Sequence, residues 1–170
     1  EGRTDDPEVE RLRNRQVKNF FTFTMLSLGM PMILMGDEAR RTQNGNNNAY
    51  SQDNEACWFD WTLLDKHPDV HRFVSLLTAR RLLRDVDAER SRVSLNQMLH
   101  GANISWHGVR LHEPDWGASS HSLAFSAELR RERLLLHLIL NAFWEALDFD
   151  LPQVGNGQPD PWLRWIDTSL

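Results

Sequence analysis

Two acidic residues, Asp37 and Glu38, directly follow an apolar run of the sequence. Two further acids, Asp53 and Glu55, come later in the same polar stretch. When a buried strand belongs to a parallel sheet, functional side chains collect in the loop beyond its carboxyl end. Paired carboxylates in such a loop have the chemistry of the general acid and the nucleophile in glycoside hydrolysis.

A supporting role is the alternative for this acidic pair. Asp37 and Glu38 could accept backbone N–H bonds or pair with Arg40 and Arg41. Adjacent residues of an extended strand point to opposite sides, so the two carboxylates would not face one substrate together. On the sequence alone this supporting role is favoured over catalysis.

A loop rich in amides follows the acids. Asn46, Asn47 and Asn48 precede Tyr50, and an amide can donate to or accept from a sugar hydroxyl. The ring of Tyr50 could offer a flat apolar face to a pyranose. The alternative is a run of turns, because Asn tolerates left-handed conformations and hydrogen-bonds its own backbone. The residues alone leave these two interpretations balanced.

The elements that position this region are predicted from periodicity. Apolar residues recur close to every 3.6 positions from Pro7 to Leu28, which predicts a helix capped by Asp5 or Asp6 and stopped by Gly29. The apolar run Pro31–Met35 is predicted to be a strand, and a polar loop follows. This order is typical of a helix-then-strand unit of a parallel sheet.

A second helix is predicted from Pro68 to Arg84, with Val70, Phe73, Val74 and Leu77 on one face. His67 and His71 stand four residues apart near its start, as in some zinc sites. The glutamate of the zinc protease motif is absent between them, so no metal is predicted.

The second half of the chain changes to β-like patterns after residue 85 and is predicted to be an antiparallel β domain. The run Leu134–Leu140 is apolar almost throughout and is predicted to be the central strand. The sequence Gly155-Asn156-Gly157 is predicted to form a turn. The four predicted strands are Ile104–Leu111, Ser122–Ser126, Leu134–Leu140 and Ala146–Leu151.

Composition excludes several classes of function. The 170 residues carry a net charge of −5 with both signs interspersed, so neither nucleic acid nor an anionic membrane is an expected partner. The single cysteine, Cys57, excludes an internal disulfide framework, and we expect a cytoplasmic protein. The sequence contains no phosphate-binding glycine loop, nucleotide fingerprint or nucleophilic serine elbow.

Longer strings resemble bacterial glycogen debranching enzymes of the isoamylase type, in the α-amylase superfamily of glycoside hydrolases. The resemblance covers nearly the whole chain. It is carried by Arg13–Phe21, Gly29–Pro31, Gly36–Glu38, Arg41–Asn54, Trp58–Trp61, Trp106–Gly108, Pro114–Trp116, Ser120–Phe125 and Leu140–Glu145.

The resemblance implies a (β/α)8 barrel followed by an antiparallel β-sandwich. Residues 1–85 would be a helix, the eighth strand and the last helix of the barrel, and residues 86–170 an incomplete sandwich. The family hydrolyses α-1,6 branch linkages of glycogen or limit dextrin without a cofactor. Its Asp nucleophile, Glu general acid and third Asp would all precede Glu1, so the isolated chain is expected to be inactive without the N-terminal part of the barrel.

The resemblance also reassigns the polar residues. It implies no catalytic residue and no metal ligand in this chain, and it places the acidic pair at the floor of the substrate cleft. The residues implied to line or support that cleft are Asp37, Glu38, Asn46, Asn47, Asn48, Tyr50 and Asp53. The other interpretations are a non-catalytic carbohydrate-binding or interaction module from a truncated gene, and a fragment of a related isoamylase or trehalose-forming enzyme.

Overall fold

The computed structural model describes residues 2–27, 30–84, 92–94, 100–129, 134–153 and 162–169. The chain divides into two compact units. Unit 1 comprises Glu1–Asn96 and Trp165–Leu170, and unit 2 comprises Gln97–Arg164. The domain boundary predicted between residues 85 and 86 stays a prediction, because residues 85–91 and 95–99 lie outside the described residues.

Helix α1 spans Pro7–Leu26 and begins at the predicted signals. The Oδ1 atom of Asp6 accepts a hydrogen bond from the N–H of Glu8 at 2.9 Å, which confirms Asp6 as the N-cap. Pro7 occupies the first turn, where its missing N–H needs no partner. The helix ends two residues before the predicted Leu28, and Gly29, the predicted stop, lies outside the described residues.

The core of unit 1 lies between α1 and α3, which spans Pro68–Arg81. The predicted apolar face of α3 is confirmed, although the helix ends at Arg81 and not at Arg84. Each buried aliphatic side chain of this kind contributes about 1.5–3 kcal/mol to the free energy of unfolding. The buried core residues are Phe21, Met25, Val70, Val74 and Leu77, with Val17, Ile33, Phe73 and Ile166 packed around them.

Shorter elements join this core. The three-residue strands β1 (Leu82–Arg84) and β2 (Arg92–Ser94) pair antiparallel, so the predicted last turn of the second helix is a strand. A five-residue helix, α2, spans Thr62–Lys66 within the stretch predicted to be loop. Trp61 is its N-cap, and the Oδ1 atom of Asp60, one residue earlier, accepts from the backbone N–H of Thr62 at 3.0 Å.

The predicted strand Pro31–Met35 is wrong as a paired element. This segment is irregular in the structure, and no ladder includes it among the described residues. Exposure follows the sequence pattern only in part: Ile33 packs on the core, whereas Met32, Leu34 and Met35 are exposed. A strand requires a hydrogen-bonding neighbour, and an apolar run by itself does not supply one.

Unit 2 contains a three-stranded antiparallel sheet in the order β3 (Asn103–His107), β4 (Ser122–Leu129) and β5 (Leu134–Asn141). The central strand is therefore β4, and the prediction that Leu134–Leu140 is central is wrong among the described strands. The register pairs Trp106 with Phe125 and Leu123 with Leu140 on one face of the sheet.

Two other strand predictions in unit 2 are corrected. Strand β3 stops at His107, short of the predicted Leu111, because a tight turn begins at Gly108. A Cβ atom at Gly108 would collide with the carbonyl oxygen of Glu113, so this approach requires glycine. The predicted strand Ala146–Leu151 is irregular chain, and the predicted turn at residues 155–157 lies outside the described residues.

Across the described part of the chain, none of the helices combines the length and apolar character needed to cross a bilayer.

Candidate functional site

The acidic pair lies in a sharp turn of unit 1. Gly36 has φ 103° and precedes a single 3-10 turn, Asp37–Ala39. The Oε2 atom of Glu38 accepts from the backbone N–H of Gly36 at 2.8 Å. Glu38 therefore supports the backbone of its own turn, which agrees with the supporting role proposed from the sequence for that residue.

Arg40 connects this turn to α1. Its backbone is left-handed, with φ 58°, and its side chain contacts the helix. The Nη1 atom of Arg40 donates to Oε2 of Glu10 at 2.8 Å and to Oδ1 of Asn14 at 2.6 Å. Hydrogen bonds from Arg13 and then Arg40 lower the pKa of Glu10 below its ordinary value.

Arg41 connects the same turn to the later part of the loop. Its Nη2 atom donates to the carbonyl oxygens of Ala56 and Cys57, at 3.5 and 3.2 Å. Its aliphatic stem crosses close to Gly36, where an added Cβ atom would lie 2.7 Å from the Cδ of Arg41. From the sequence, both arginines were considered only as partners for Asp37 and Glu38. In the structure Arg40 instead bonds to side chains of α1, and Arg41 bonds to backbone carbonyl oxygens.

The amide loop, residues 43–54, holds its own shape through side-chain bonds. Asn46 donates from Nδ2 to Oε1 of Gln52 at 2.8 Å and accepts at Oδ1 from the N–H of Asn48 at 3.0 Å. The Oδ1 atom of Asn48 accepts from the N–H of Tyr50 at 3.1 Å. Both asparagines thus form the turns that the alternative interpretation described. Asn47 is exposed at the tip between them.

Aromatic side chains stand around this loop. Tyr50 is 87% exposed, and Trp58 and Trp61 are also exposed. The Oδ1 atom of Asp53 accepts from the indole Nε1–H of Trp58 at 2.7 Å, which orients that ring. Asp53 is therefore a positioning residue for Trp58, a role that the sequence did not indicate.

An open groove of about 380 Å³ lies beside the acidic pair in unit 1. It combines apolar side chains of α1 with the turn that carries Asp37. Of the seven residues proposed from the sequence, Asp37 is the one that lines this groove; the amide loop residues do not. The lining residues are Val17, Phe20, Phe21, Thr24, Met32, Ile33, Asp37, Arg40 and Arg41.

No cluster of three or more histidine, cysteine or acidic side chains able to hold a metal occurs within the described ranges. His67 is buried at the start of α3, whereas His71 is exposed. Burial, followed by the charges of Arg40 and Lys66, lowers the pKa of His67 below its ordinary value.

Comparison with known proteins identifies relatives over almost the entire chain, although no family model matches it. The glycogen operon protein GlgX homolog of Mycobacterium bovis is 34% identical over 187 residues, which cover 99% of this chain. Isoamylase 1 of Oryza sativa subsp. japonica is 37% identical and covers 99% of the chain. The glycogen debranching enzyme of Pectobacterium atrosepticum is 34% identical and covers 95%.

These relatives are much longer than this chain. The matched region is 26% of the mycobacterial protein, 20% of the rice protein and 23% of the Pectobacterium protein. The chain therefore corresponds to a segment of each of them. By this similarity the chain is homologous, over nearly its whole length, to a segment of glycogen debranching enzymes and isoamylases.

Proposed function

We propose that this chain is the C-terminal portion of a glycogen-debranching α-1,6-glucosidase, where it completes the barrel and begins the β domain that follows. The observation that carries the proposal is the match to glycogen debranching enzymes and isoamylases over 95–99% of the chain. In this role unit 1 supplies a wall of the substrate cleft, and the acids that cleave the bond lie outside this segment.

The exposed apolar segment of unit 1 supports a place in a larger sheet. Met30, Met32 and Met35 are exposed, and so is Phe20 of α1. Monomeric proteins rarely leave such a continuous apolar surface uncovered. In the barrel that we propose, the neighbouring strands cover these side chains.

The turn and the amide loop, which follow residues 31–35, would then contact the substrate. Arg40 anchors the turn before the amide loop to α1, and Arg41 bonds the carbonyl of Cys57 after it. Asn47 and Tyr50 are exposed and would contact glucose units. Asp37 lines the groove, and Glu38 supports the turn that carries Asp37. In the proposed enzyme the loop binds and orients a branched α-glucan, and it performs no proton transfer of its own.

A chimera tests the proposal. The aligned segment of the Pectobacterium atrosepticum enzyme is replaced by this chain, and the release of reducing ends from limit dextrin is measured. We expect hydrolysis by the chimera and none by the 170-residue chain alone. A folded chimera without activity would contradict the proposed placement, and activity of the isolated chain would contradict the absence of catalytic acids.

The isolated chain also tests the alternative of a separate carbohydrate-binding module. The exposed Tyr50, Trp58 and Trp61 are the observation that favours it, because exposed aromatic rings can stack on sugars. Tight glycogen binding by the chain, lost in Asn47→Ala, together with an inactive chimera would support the module over the enzyme segment.

A further inference from the structure

A second groove lies in unit 2 and is lined by residues far from the amide loop in the sequence. The similarity to debranching enzymes gives this groove no role. Its volume is about 380 Å³. Leu123 of β4 and Leu140 of β5 line it and are direct partners in the antiparallel register. The loop residues that line it, called here the loop wall, are Asp115, Trp116, Gly117 and Ser120, and His121, Ser122 and Ala142 complete the lining.

The loop wall is held firmly in place. The Oδ1 atom of Asp115 accepts from the N–H of Gly117 at 2.9 Å, and the N–H of Ser120 donates to the carbonyl of Gly117 at 3.0 Å. The close approach at Gly108 brings the preceding loop tightly against Glu113. A ligand would thus meet a wall whose shape is already set, which limits the entropy lost on binding.

Trp116 stands on this wall and is 65% exposed. Its ring meets the ring of Trp106 edge to face, with centroids 5.5 Å apart and an interplanar angle of 69°. Trp106 in turn packs against Phe125 in the sheet, at 5.3 Å between centroids. The sheet therefore supports an indole that remains largely open to solvent.

A second exposed indole stands next to the lining residue His121. The ring of His121 lies 5.9 Å from that of Trp144, which is 75% exposed. Trp144 packs on Phe143 with centroids 3.8 Å apart, and His121 also contacts Phe143 edge to face. The backbone N–H of Ala142 donates to the carbonyl of His121 at 2.8 Å, which joins this aromatic cluster to the groove.

The polar groups of the groove are suited to a neutral ligand with many hydroxyls. Asp115, Ser120 and His121 provide acceptors and donors at its edge. The described lining residues include one carboxylate and neither lysine nor arginine, so a phosphate or another anion would find no cation there. Flat apolar faces combined with hydroxyl-bonding groups match glucose units, whose rings have an apolar face and a polar edge.

We propose that this groove of unit 2 is a binding site for an α-glucan chain, separate from the cleft of unit 1. Trp116 is its stacking platform, and Trp144, which contacts the lining residue His121, extends the site with a second exposed ring. The choice of α-glucan rests on the proposed function, since the relatives are named for glycogen and isoamylase. The site retains polymer while the bond is cleaved elsewhere on the enzyme.

Affinity electrophoresis of the 170-residue chain in gels with and without glycogen tests the site. We expect Trp116→Ala and Trp144→Ala each to weaken retardation by glycogen about tenfold, which corresponds to the loss of one stacked aromatic ring. The matched control is Leu163→Ala, another exposed apolar side chain of unit 2, which should leave retardation unchanged. Circular dichroism of all three variants shows whether the fold is preserved.

The outcomes separate this site from the enzymatic proposal. Unchanged retardation in both tryptophan variants, or no retardation of the unaltered chain, overturns the glucan site. In the chimera, the same variants should raise KM for glycogen and leave kcat/KM for a short branched oligosaccharide unchanged. An inactive chimera with tryptophan-dependent retardation would refute the enzymatic proposal and retain the glucan site.

Discussion

The Nε2 atom of His107 lies 2.9 Å from the Oγ atom of Ser126 inside the sheet of unit 2. The N–H of His112 donates to Nδ1 of His107, so a neutral His107 carries its proton on Nε2 and donates to Ser126. The hydroxyl of Ser126 then donates to Nδ1 of His137 at 3.0 Å. The Nε2–H of His137 remains buried without an acceptor among the described residues.

This array predicts a loss of stability in mild acid. Burial, followed by the charge of His112, lowers the pKa of His107, and burial, followed by the charge of His107, lowers the pKa of His137. The unfolded chain therefore binds protons first as pH falls below about 6.5. The free energy of unfolding should fall below that pH by up to about 1.4 kcal/mol per pH unit for each proton.

Urea denaturation between pH 8 and pH 5, followed by tryptophan fluorescence, measures this dependence. His137→Leu should have a shallower slope, whereas the exposed-site control His71→Gln should keep the slope of the unaltered chain. An identical slope in His137→Leu would remove His137 from the explanation.

The ion pair between Lys18 and Asp69 predicts a loss of stability in Lys18→Met. Lys18 is only 4% exposed, and its Nζ atom lies 2.9 Å from Oδ2 of Asp69, joining α1 to α3. Burial raises the pKa of Asp69, but the hydrogen bond and charge of Lys18 outweigh it, and the pKa is lowered overall. Because the carboxylate is 44% exposed, water screens part of the effect, and we expect a loss of about 1–2 kcal/mol.

The matched control for this ion pair is Arg11→Met, which removes an exposed pair with Glu8 on the same helix. Its effect should be much smaller than that of Lys18→Met, because water screens an exposed pair. Thermal unfolding followed by circular dichroism compares the two variants, and equal losses would show that burial does not strengthen the Lys18 pair.

Replacing each of two glycines with positive φ by alanine should lower the free energy of unfolding by different amounts. At Gly36 an added Cβ would meet Arg41 at 2.7 Å and Phe59 at 3.2 Å, whereas at Gly45 nothing lies within 4 Å. Gly45→Ala should lose about 1 kcal/mol from backbone strain alone. Gly36→Ala should lose about 1–3 kcal/mol more from the contacts, and denaturant midpoints will show whether the order holds.

Two asparagines of the amide loop are predicted to have different roles, one in the shape of the loop and the other in contact with substrate. Asn46→Ala removes hydrogen bonds to Gln52 and to the N–H of Asn48, so it should lower the resistance of the loop to proteolysis. Asn47→Ala changes an exposed tip and should leave proteolysis unchanged, yet raise KM of the chimera for limit dextrin. A normal KM in Asn47→Ala would exclude this side chain from the proposed cleft.

The exposed apolar surface of unit 1 predicts self-association of the isolated chain. Met32 is 91% exposed, and Phe20 is exposed beside it in the same groove. The double variant Phe20→Glu/Met32→Glu should sediment as smaller species at a given concentration. A concentration-independent monomer for the unaltered chain would contradict this prediction.

Local patterns predicted local structure well. The cap at Asp6, the start of α1 at Pro7 and the apolar face of α3 depend on neighbours within about four residues, so they are readable from the sequence. Strand boundaries were less accurate. The end of β3 depends on the close approach of Gly108 to Glu113, and the continuation of β4 to Leu129 depends on its pairing with β5, and the alternation of residue types indicates neither contact.

The candidate site divides in the same way. The asparagine turns follow from the side chains themselves, because each bonds a backbone N–H two residues ahead. The anchoring of Arg40 to Glu10, 30 residues away, could not be predicted from the types of its neighbours. The orientation of Trp58 by Asp53 and the groove beside Trp116 were missed for the same reason.

By itself the sequence determined the main helices, the β character of the second half and the similarity to debranching enzymes. Helix periodicity, residue types typical of strands and matching strings of residues can all be read along the chain without knowing how it folds. Only the tertiary structure decided that β4 is the central strand. It also decided that Arg40 bonds to α1 and Arg41 to backbone carbonyls, and not to the acidic pair. The hydrogen bonds that join His107, Ser126 and His137 are a third feature of this kind. Strand order and side-chain contacts between different elements depend on how those elements pack, and residue periodicity carries no information about their packing.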